Sequence, residues 1–457
     1  MKKVLPIKPF TRPVQGTVQL PGSKSLTNRA LILAALSEGP VRLEHTLFSE
    51  DTRIMITALR RLGFVVKDNE TAGTVEIVGR GGIIPIAKAD IEVGNAGTAA
   101  RFLPALLSLS ERGTYTVDGS KAMRRRPIKG LLDALTALGA RVVYNGEPGY
   151  FPFTLHTQGL QGDSVELDAS ASSQILSALC MVAPHIRSER SENPPFTITL
   201  KGETVSKPFV RMTLEVLRQF GRENREVPKG ASYQVSRAKR RPHSSGMSSQ
   251  QKPYIYTIEP DLTAASYFLA LPKVVGGALL LKGVKLKGSL QGDGGFATLL
   301  QDAGLVELEP KSEGLLVRGG PKHQGVDRDF NAISDTFLTL AAMAPLLEGP
   351  TMIRGIGHTR KQETDRVAAV AKELQRLGQS VQEEASSLEI IPSPLVPSVI
   401  QTYKDHRVAM SFGILGCRDI NGNARPWLTI EDPDCCAKTF PHFFEVLDDL
   451  YSQAHSD

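Results

Sequence analysis

One helix ending occurs six times in this chain of 457 residues, and it constrains the fold more than any single motif does. Ala58-Leu-Arg-Arg-Leu-Gly63 returns as Ala134-Leu-Thr-Ala-Leu-Gly139, Val216-Leu-Arg-Gln-Phe-Gly221, Leu299-Leu-Gln-Asp-Ala-Gly304 and Glu373-Leu-Gln-Arg-Leu-Gly378. A sixth copy, Glu445-Val-Leu-Asp-Asp-Leu450, lacks the glycine, and equivalent positions lie 72 to 83 residues apart. Each copy reads as the last turn of an amphipathic helix closed by a C-cap glycine, which takes the left-handed conformation at no steric cost. A strand-like run such as Phe64-Val-Val-Lys67 follows. A more apolar helix is predicted earlier in each unit, at Arg29–Leu36, Thr98–Leu109, Ser173–Val182, Ala264–Leu271, Thr336–Leu347 and Arg407–Leu415. The unit therefore reads strand, helix, strand, helix, strand, strand. Units of this kind bury their sheets and first helices together, so three per domain is the natural division, with a boundary near Tyr254–Pro260.

Polar residues gather at one place in these units, just ahead of a helix. In Leu20–Leu36, Pro21 and Gly22 read as a turn whose backbone approaches a ligand. Ser23, Lys24, Ser25, Asn28 and Arg29 follow, around a stripe of Leu26, Ala30, Leu33 and Ala34 at helical spacing. The first helices of later units are preceded by Gly94–Thr98, Ser170–Gln174, Glu259–Thr263, Ile333–Asp335 and Tyr403–Arg407. Second helices are preceded by Arg124–Pro127, Ser206–Pro208, Gln362–Arg366 and Lys438–Phe440. Capping explains many of the Ser, Thr, Asn and Asp residues. It does not explain Lys24, Arg126, Arg366, Arg407 and Lys438, because a cation is disfavoured at the positive end of a helix dipole unless an anion compensates. The pattern predicts helix starts from two domains facing a common cleft that holds anions. It is not a Walker site, since the first glycine of that motif is absent.

Bulk properties exclude other classes. The net charge of +6 is scattered among glycine-rich turns and aromatics are only 6%, so no basic, aromatic stripe for nucleic acid is present, and small anionic substrates fit better. No apolar run reaches the ~18 residues of a membrane span, and residues 1–10 lack the apolar core of a leader, which points to a cytosolic protein without a membrane partner. Cys180, Cys417, Cys435 and Cys436 show no metal or disulfide spacing and read as buried or incidental thiols. The basic, serine-rich residues 236–251 read as a mobile loop.

Taken in order, P-G-S-K-S-x-x-N-R-A from Pro21, G-N-A-G-T-A-x-R from Gly94, R-R-R-P from Arg124, S-S-Q from Ser172, S-K-P from Ser206, Q-E-T-D-R from Gln362, K-D-H-R-x-A-M from Lys404 and A-K-T-F-P from Ala437 resemble the motifs of the 5-enolpyruvylshikimate-3-phosphate synthase family. The resemblance covers nearly the whole chain. It implies a two-domain inside-out α/β barrel of six βαβαββ repeats, with a discontinuous C-terminal-type lobe (1–19 plus 258–457) and an N-terminal-type lobe (20–257). It implies transfer of enolpyruvyl from phosphoenolpyruvate to the 5-hydroxyl of shikimate 3-phosphate by a monomer without metal or organic cofactor. By the same resemblance Lys24 contacts both substrates, Asp335 holds the 5-hydroxyl and accepts its proton, and Glu363 serves proton transfer at the methylene carbon. Gly97, Arg126, Gln174, Arg366, Arg407 and Lys438 would hold phosphoenolpyruvate. Ser25, Arg29, Ser172, Ser173, Ser206 and Gln362 would join Lys24 and Asp335 around shikimate 3-phosphate. On residue chemistry alone, Asp335 could equally be a helix cap and Glu363 the i,i+3 mate of Arg366.

Departures from the family pattern fall at Phe102, Phe209, His358 and Gln362, where many members carry proline, tyrosine, asparagine and lysine. By the resemblance the last three lie on the shikimate 3-phosphate side, where one cation and two polar contacts are missing or replaced. Two rival readings are a UDP-N-acetylglucosamine enolpyruvyl transferase, opposed by Ser25 and by a Gly119–Pro127 loop without cysteine, and a non-enzymatic anion- or RNA-binding scaffold. Phe102 sits behind Gly97 and Thr98, so Phe102→Pro is expected to shift inhibition by glyphosate. An unchanged inhibition curve would remove that idea.

Overall fold

Among the described residues the strands form six sheets, five of four strands in one shared order and one of three strands. The computed structural model describes residues 3–202, 204–227, 231–238 and 252–456. In residues 88–157, Lys88–Glu92 lies parallel to Gly113–Asp118, which pairs antiparallel with Phe153–Thr157, which pairs antiparallel with Arg141–Tyr144. The same order recurs in residues 164–235 and 327–391. Two repeats take their first strand from elsewhere in the chain. Tyr254–Thr257 runs parallel to Glu38–Glu44 in the first repeat, and Val14–Gln19 runs parallel to Gly277–Lys282 in the fourth. In the sixth, Val4–Pro6 pairs antiparallel with Leu428–Glu431, which lies parallel to Ser398–Ile400.

The chain divides into two compact units, Met1–Pro21 with Glu259–Asp457, and Gly22–Ile258. In the second of these the helices Lys24–Leu36, Gly97–Leu107 and Ser173–Val182 pack on one another. In the first, Leu262–Val275, Phe337–Met343 and His406–Gly416 do the same. These helices are buried on nearly every side, so they fill the interior of each unit while the sheets lie outside. In Gly97–Leu107 every residue is buried. Phe102, Leu103, Leu106 and Leu107 each contribute roughly 1.5–3 kcal/mol on burial, which outweighs the ~3 kcal/mol that Pro104 costs inside the helix. The second helices are amphipathic: Lys207–Gln219 buries Val210, Met212, Leu214, Val216 and Leu217 and leaves its other face to solvent.

All five repeat glycines adopt positive φ, from +69° at Gly304 to +106° at Gly139, as a C-cap requires. The copy without glycine does not end at Leu450; its helix runs from Phe443 to His455. The first helix of the fifth repeat is shorter than its pattern predicts, because Pro345 turns the chain into a 3-10 segment, Ala344–Leu346. No helix among the described residues is long and apolar enough to cross a membrane. The basic segment lies, from residue 239 to residue 251, outside the described residues.

Gly221 and Gly63 separate two costs of losing a C-cap glycine. A Cβ at Gly221 meets nothing within 4 Å, whereas at Gly63 it would lie 2.9 Å from Pro85 and Ile86. Gly221→Ala is expected to cost about 1 kcal/mol of conformational strain and Gly63→Ala clearly more. Thermal unfolding of the two variants checks the order.

Candidate active site

Arg366 opens the helix Arg366–Arg376, and burial leaves it only protein partners or a ligand. Its Nε donates to Asp405 Oδ2 at 2.8 Å, one terminal nitrogen to Asp335 Oδ1 at 2.8 Å and to Gln362 Oε1, and the other to Glu363 Oε2 at 2.9 Å. Asp335 is shared: its Oδ2 accepts from Arg407 Nη2 at 2.7 Å. Lys438 Nζ lies 3.8 Å from Glu363 Oε1. Desolvation works against the charges of Arg366 and Arg407. For Arg366 it is outweighed by Asp405, Glu363 and Asp335, and for Arg407 by Asp335 first, so both pKa values rise above the ordinary guanidinium range.

Six residues predicted from the sequence, Asp335, Gln362, Glu363, Arg366, Arg407 and Lys438, thus converge in the Glu259–Asp457 segment. Two local readings are decided here. Asp335 is not a helix cap, since Thr336 is the N-cap of the following helix and the Asp335 carboxylate goes to the two arginines. Glu363 is the i,i+3 mate of Arg366, with Lys438 close to its other oxygen. Part of the anion that the helix-start cations require is therefore protein carboxylate. The main one was not picked out from the sequence: Asp405, fully buried, caps His406–Gly416 by accepting from the Arg407 backbone N–H at 2.9 Å while holding Arg366. Its position before two basic residues at a helix start was the available signal.

Asp293 was also missed. It is buried, accepts from the Thr263 hydroxyl, and its Oδ1 has no hydrogen-bond partner among the described residues. Burial and then the charge of Asp335 push its pKa up to about 7, with Asp261 adding to the rise and Thr263 and Arg407 opposing it. His358 donates or accepts at Ser334 Oγ, 2.9 Å away, and burial lowers its pKa.

In Gly22–Ile258, Lys24 is the first helical residue, 3.5 Å from the buried Asp51, a partner not foreseen. The backbone at Pro21 and Gly22 does not make the expected turn. Gly22 is small because a Cβ would lie 1.8 Å from the His45 carbonyl oxygen. Arg29 is fully buried, and its nitrogens donate to Thr213 Oγ1 at 2.7 Å, Ser25 O at 2.9 Å, and Ser177 Oγ and Phe209 O at 3.2 Å. Phe102 presents its ring to the same guanidinium, 5.4 Å from the centroid. Among the described residues only hydroxyls and carbonyls bond to it, and burial lowers the Arg29 pKa to about 9.

Gly97 and Arg126 meet: a Cβ on Gly97 would stand 2.9 Å from an Arg126 nitrogen. Of the three consecutive arginines only Arg126 is buried; Arg124 pairs with Asp118 near the surface. Arg101, one helical turn beyond Gly97, donates to Pro127 O at 2.9 Å and so fixes the loop that delivers Arg126. Ser172 caps Ser173–Val182 by accepting from Gln174 N at 3.2 Å, which uses one of its oxygen lone pairs within the protein. Ser206 precedes its helix at φ +52°.

Backbone strain collects around these segments. Seven non-glycine residues among those described have positive φ; three of them, Ser206, Tyr403 and Lys404, lie in predicted site segments, and a fourth, Asp432, precedes the 3-10 segment Pro433–Lys438 that ends on Lys438. Each such residue costs of order 1–3 kcal/mol and persists only when its surroundings impose it.

A family model described as EPSP synthase (3-phosphoshikimate 1-carboxyvinyltransferase) matches residues 10–447. A protein of Opitutus terrae named 3-phosphoshikimate 1-carboxyvinyltransferase is 50% identical over 457 residues, covering 99% of both chains. One of the same name from Nostoc punctiforme is 39% identical over 438 residues, 96% of this chain and 97% of its own. Among solved structures, EPSP synthase from Acinetobacter baumannii superposes with TM-score 0.77 at 23% identity over 98% of each chain. The enolpyruvyl transferase NikO from Streptomyces tendae gives 0.71 at 18% identity over 98% of each chain.

The unfolded Asp293 carboxyl titrates near 4 and the folded one near 7. Between those values the folded chain holds a proton that the unfolded chain has lost, so this group's contribution to stability falls as pH rises and levels off above pH 7. Asp293→Asn removes the titration. Denaturant unfolding at pH 4 and pH 8 should show the variant gaining on the natural protein by a few kcal/mol, and a constant difference would disprove the shift.

Proposed function

Because the chain belongs to the EPSP synthase (3-phosphoshikimate 1-carboxyvinyltransferase) family, we propose that the residues described above carry the family reaction. The chain is a transferase that moves the enolpyruvyl group of phosphoenolpyruvate to the 5-hydroxyl of shikimate 3-phosphate and releases phosphate, a step toward aromatic amino acids. Protonating the methylene carbon builds positive character at C2. The 5-hydroxyl attacks there as it gives up its proton, and loss of phosphate with one methyl proton restores the double bond.

Arg366, Arg407 and Lys438, with Gly97, Arg126 and Gln174, hold phosphoenolpyruvate in this reading, because a guanidinium fork matches a phosphate or carboxylate in two-point contact. The observation that carries it is Asp335 bridging Arg366 and Arg407 at 2.8 and 2.7 Å. An arriving anion would take over those donors and release Asp335 toward the substrate hydroxyl, whose proton it accepts. Glu363, next to Arg366 and Lys438, transfers the proton at the methylene carbon. Lys24 touches both substrates. Ser25, Arg29, Ser172, Ser173, Ser206 and Gln362 serve shikimate 3-phosphate. Arg29 supports this as a buried cation whose bonded partners are neutral, which leaves its charge for an anion to balance. The reading extends to a cytoplasmic monomer that needs no cofactor.

A phosphate-release assay with each substrate omitted in turn tests this, and release should require both. Lys24→Ala and Asp335→Ala should each lower turnover ~100-fold or more. Near-normal rates in either would refute its role.

A further inference from the structure

Tyr403 and Lys404 stand at φ +54° and +61°, two consecutive non-glycine residues in the left-handed region, directly ahead of Asp405. Neither residue type favours that conformation, so something must hold the turn. The holder is Glu373, a carboxylate with 0% exposure on the helix Arg366–Arg376. Its Oε1 accepts from the Tyr403 hydroxyl at 2.7 Å, and its Oε2 accepts from the Gln401 backbone N–H at 3.0 Å. Arg376 Nε donates to Oε2 at 3.1 Å and balances its charge. One helix thus grips one turn at two heights: Glu373 takes residues 401 and 403, and Arg366, two helical turns earlier, takes Asp405 at 2.8 Å. The Asp405 backbone N–H donates to Thr402 O at 2.8 Å and closes the turn between the two grips.

From this geometry we infer that Glu373 and Tyr403 are positioning residues for the transfer reaction, acting through the strained turn to hold Asp405 against Arg366 and the start of the Arg407 helix. They reach the substrate only through those arginines, and the inference rests on the assignment of Arg366 and Arg407 to phosphoenolpyruvate. Removing the Tyr403 hydroxyl leaves the turn free to relax out of the left-handed region. Asp405 then withdraws, and the two guanidiniums lose their common orientation. Binding of phosphoenolpyruvate should suffer more than binding of shikimate 3-phosphate.

The test compares the natural full-length protein with Tyr403→Phe and with Tyr403→Phe/Lys404→Asn by steady-state phosphate release, varying each substrate in turn, alongside thermal unfolding. Tyr403→Phe should remain folded and lose ~10-fold in kcat/KM for phosphoenolpyruvate, an order of magnitude typical of one buried hydrogen bond to a charged group, with a smaller change for shikimate 3-phosphate. Asparagine tolerates the left-handed region, so adding Lys404→Asn should recover part of the loss. A purely structural hydroxyl would lower the melting temperature without that substrate asymmetry and without recovery, and this result overturns the inference. So does a Tyr403→Phe enzyme with natural kcat/KM, while absent turnover in the natural protein overturns the functional reading as well. Should Tyr403→Phe fail to fold, Glu373→Gln, which keeps an accepting oxygen for the Gln401 N–H and Arg376 but removes the acceptor of the Tyr403 hydroxyl, replaces it with the same expected asymmetry and the same overturning result.

Discussion

Burying a carboxylate is costly unless positive charge and donors surround it, and Asp405 is the carboxylate on which the arrangement in residues 259–457 depends. It meets the condition with Arg366 Nε, the Arg407 N–H and the first turn of a helix. Replacing such a network by well-packed apolar side chains is often neutral or stabilising, so net stability is a weak reason for its presence. What the network provides is direction. Arg366 is held by three carboxylates and shares one of them, Asp335, with Arg407, and a fork fixed in this way is already oriented for a phosphorylated ligand.

The repeats supply the frame for that direction. Apolar first helices can be buried only among their own kind, so each unit gathers three of them, and the polar residues at their N-termini are placed together as a consequence. The fourth strand of every complete sheet pairs antiparallel with its second, which leaves the first strand attached by one parallel ladder alone. That strand is the one supplied from a distant part of the chain in the first and fourth repeats. A parallel edge strand needs no tight hairpin to reach its place, and this permits the exchange.

Much of the fold was legible because its signals are local. A glycine five residues into a helix-ending pattern dictates a left-handed C-cap whatever surrounds it, and positive φ follows at Gly63, Gly139, Gly221, Gly304 and Gly378. Where a local rule lacked its residue, as at Leu450, or met Pro345, the element ended elsewhere. The candidate site was legible in its cations, since Lys24, Arg126, Arg366, Arg407 and Lys438 sit where helix electrostatics disfavour them. Their partners were less so. Asp51 lies 27 positions from Lys24, and Glu373 lies in a repeat pattern that reads as an ordinary amphipathic helix.

By itself the sequence determined the repeat, the helix endings, the placement of cations at helix starts and the family, because each depends on residue type and spacing over a short stretch. Only the tertiary structure decided which strand completes which sheet, which carboxylate answers which arginine, and that Tyr403 and Lys404 are forced into the left-handed region. The reason is that pairing, desolvation and strain are set by atoms far apart in the chain. A guanidinium carries the same charge in every sequence, and its surroundings settle what that charge is for.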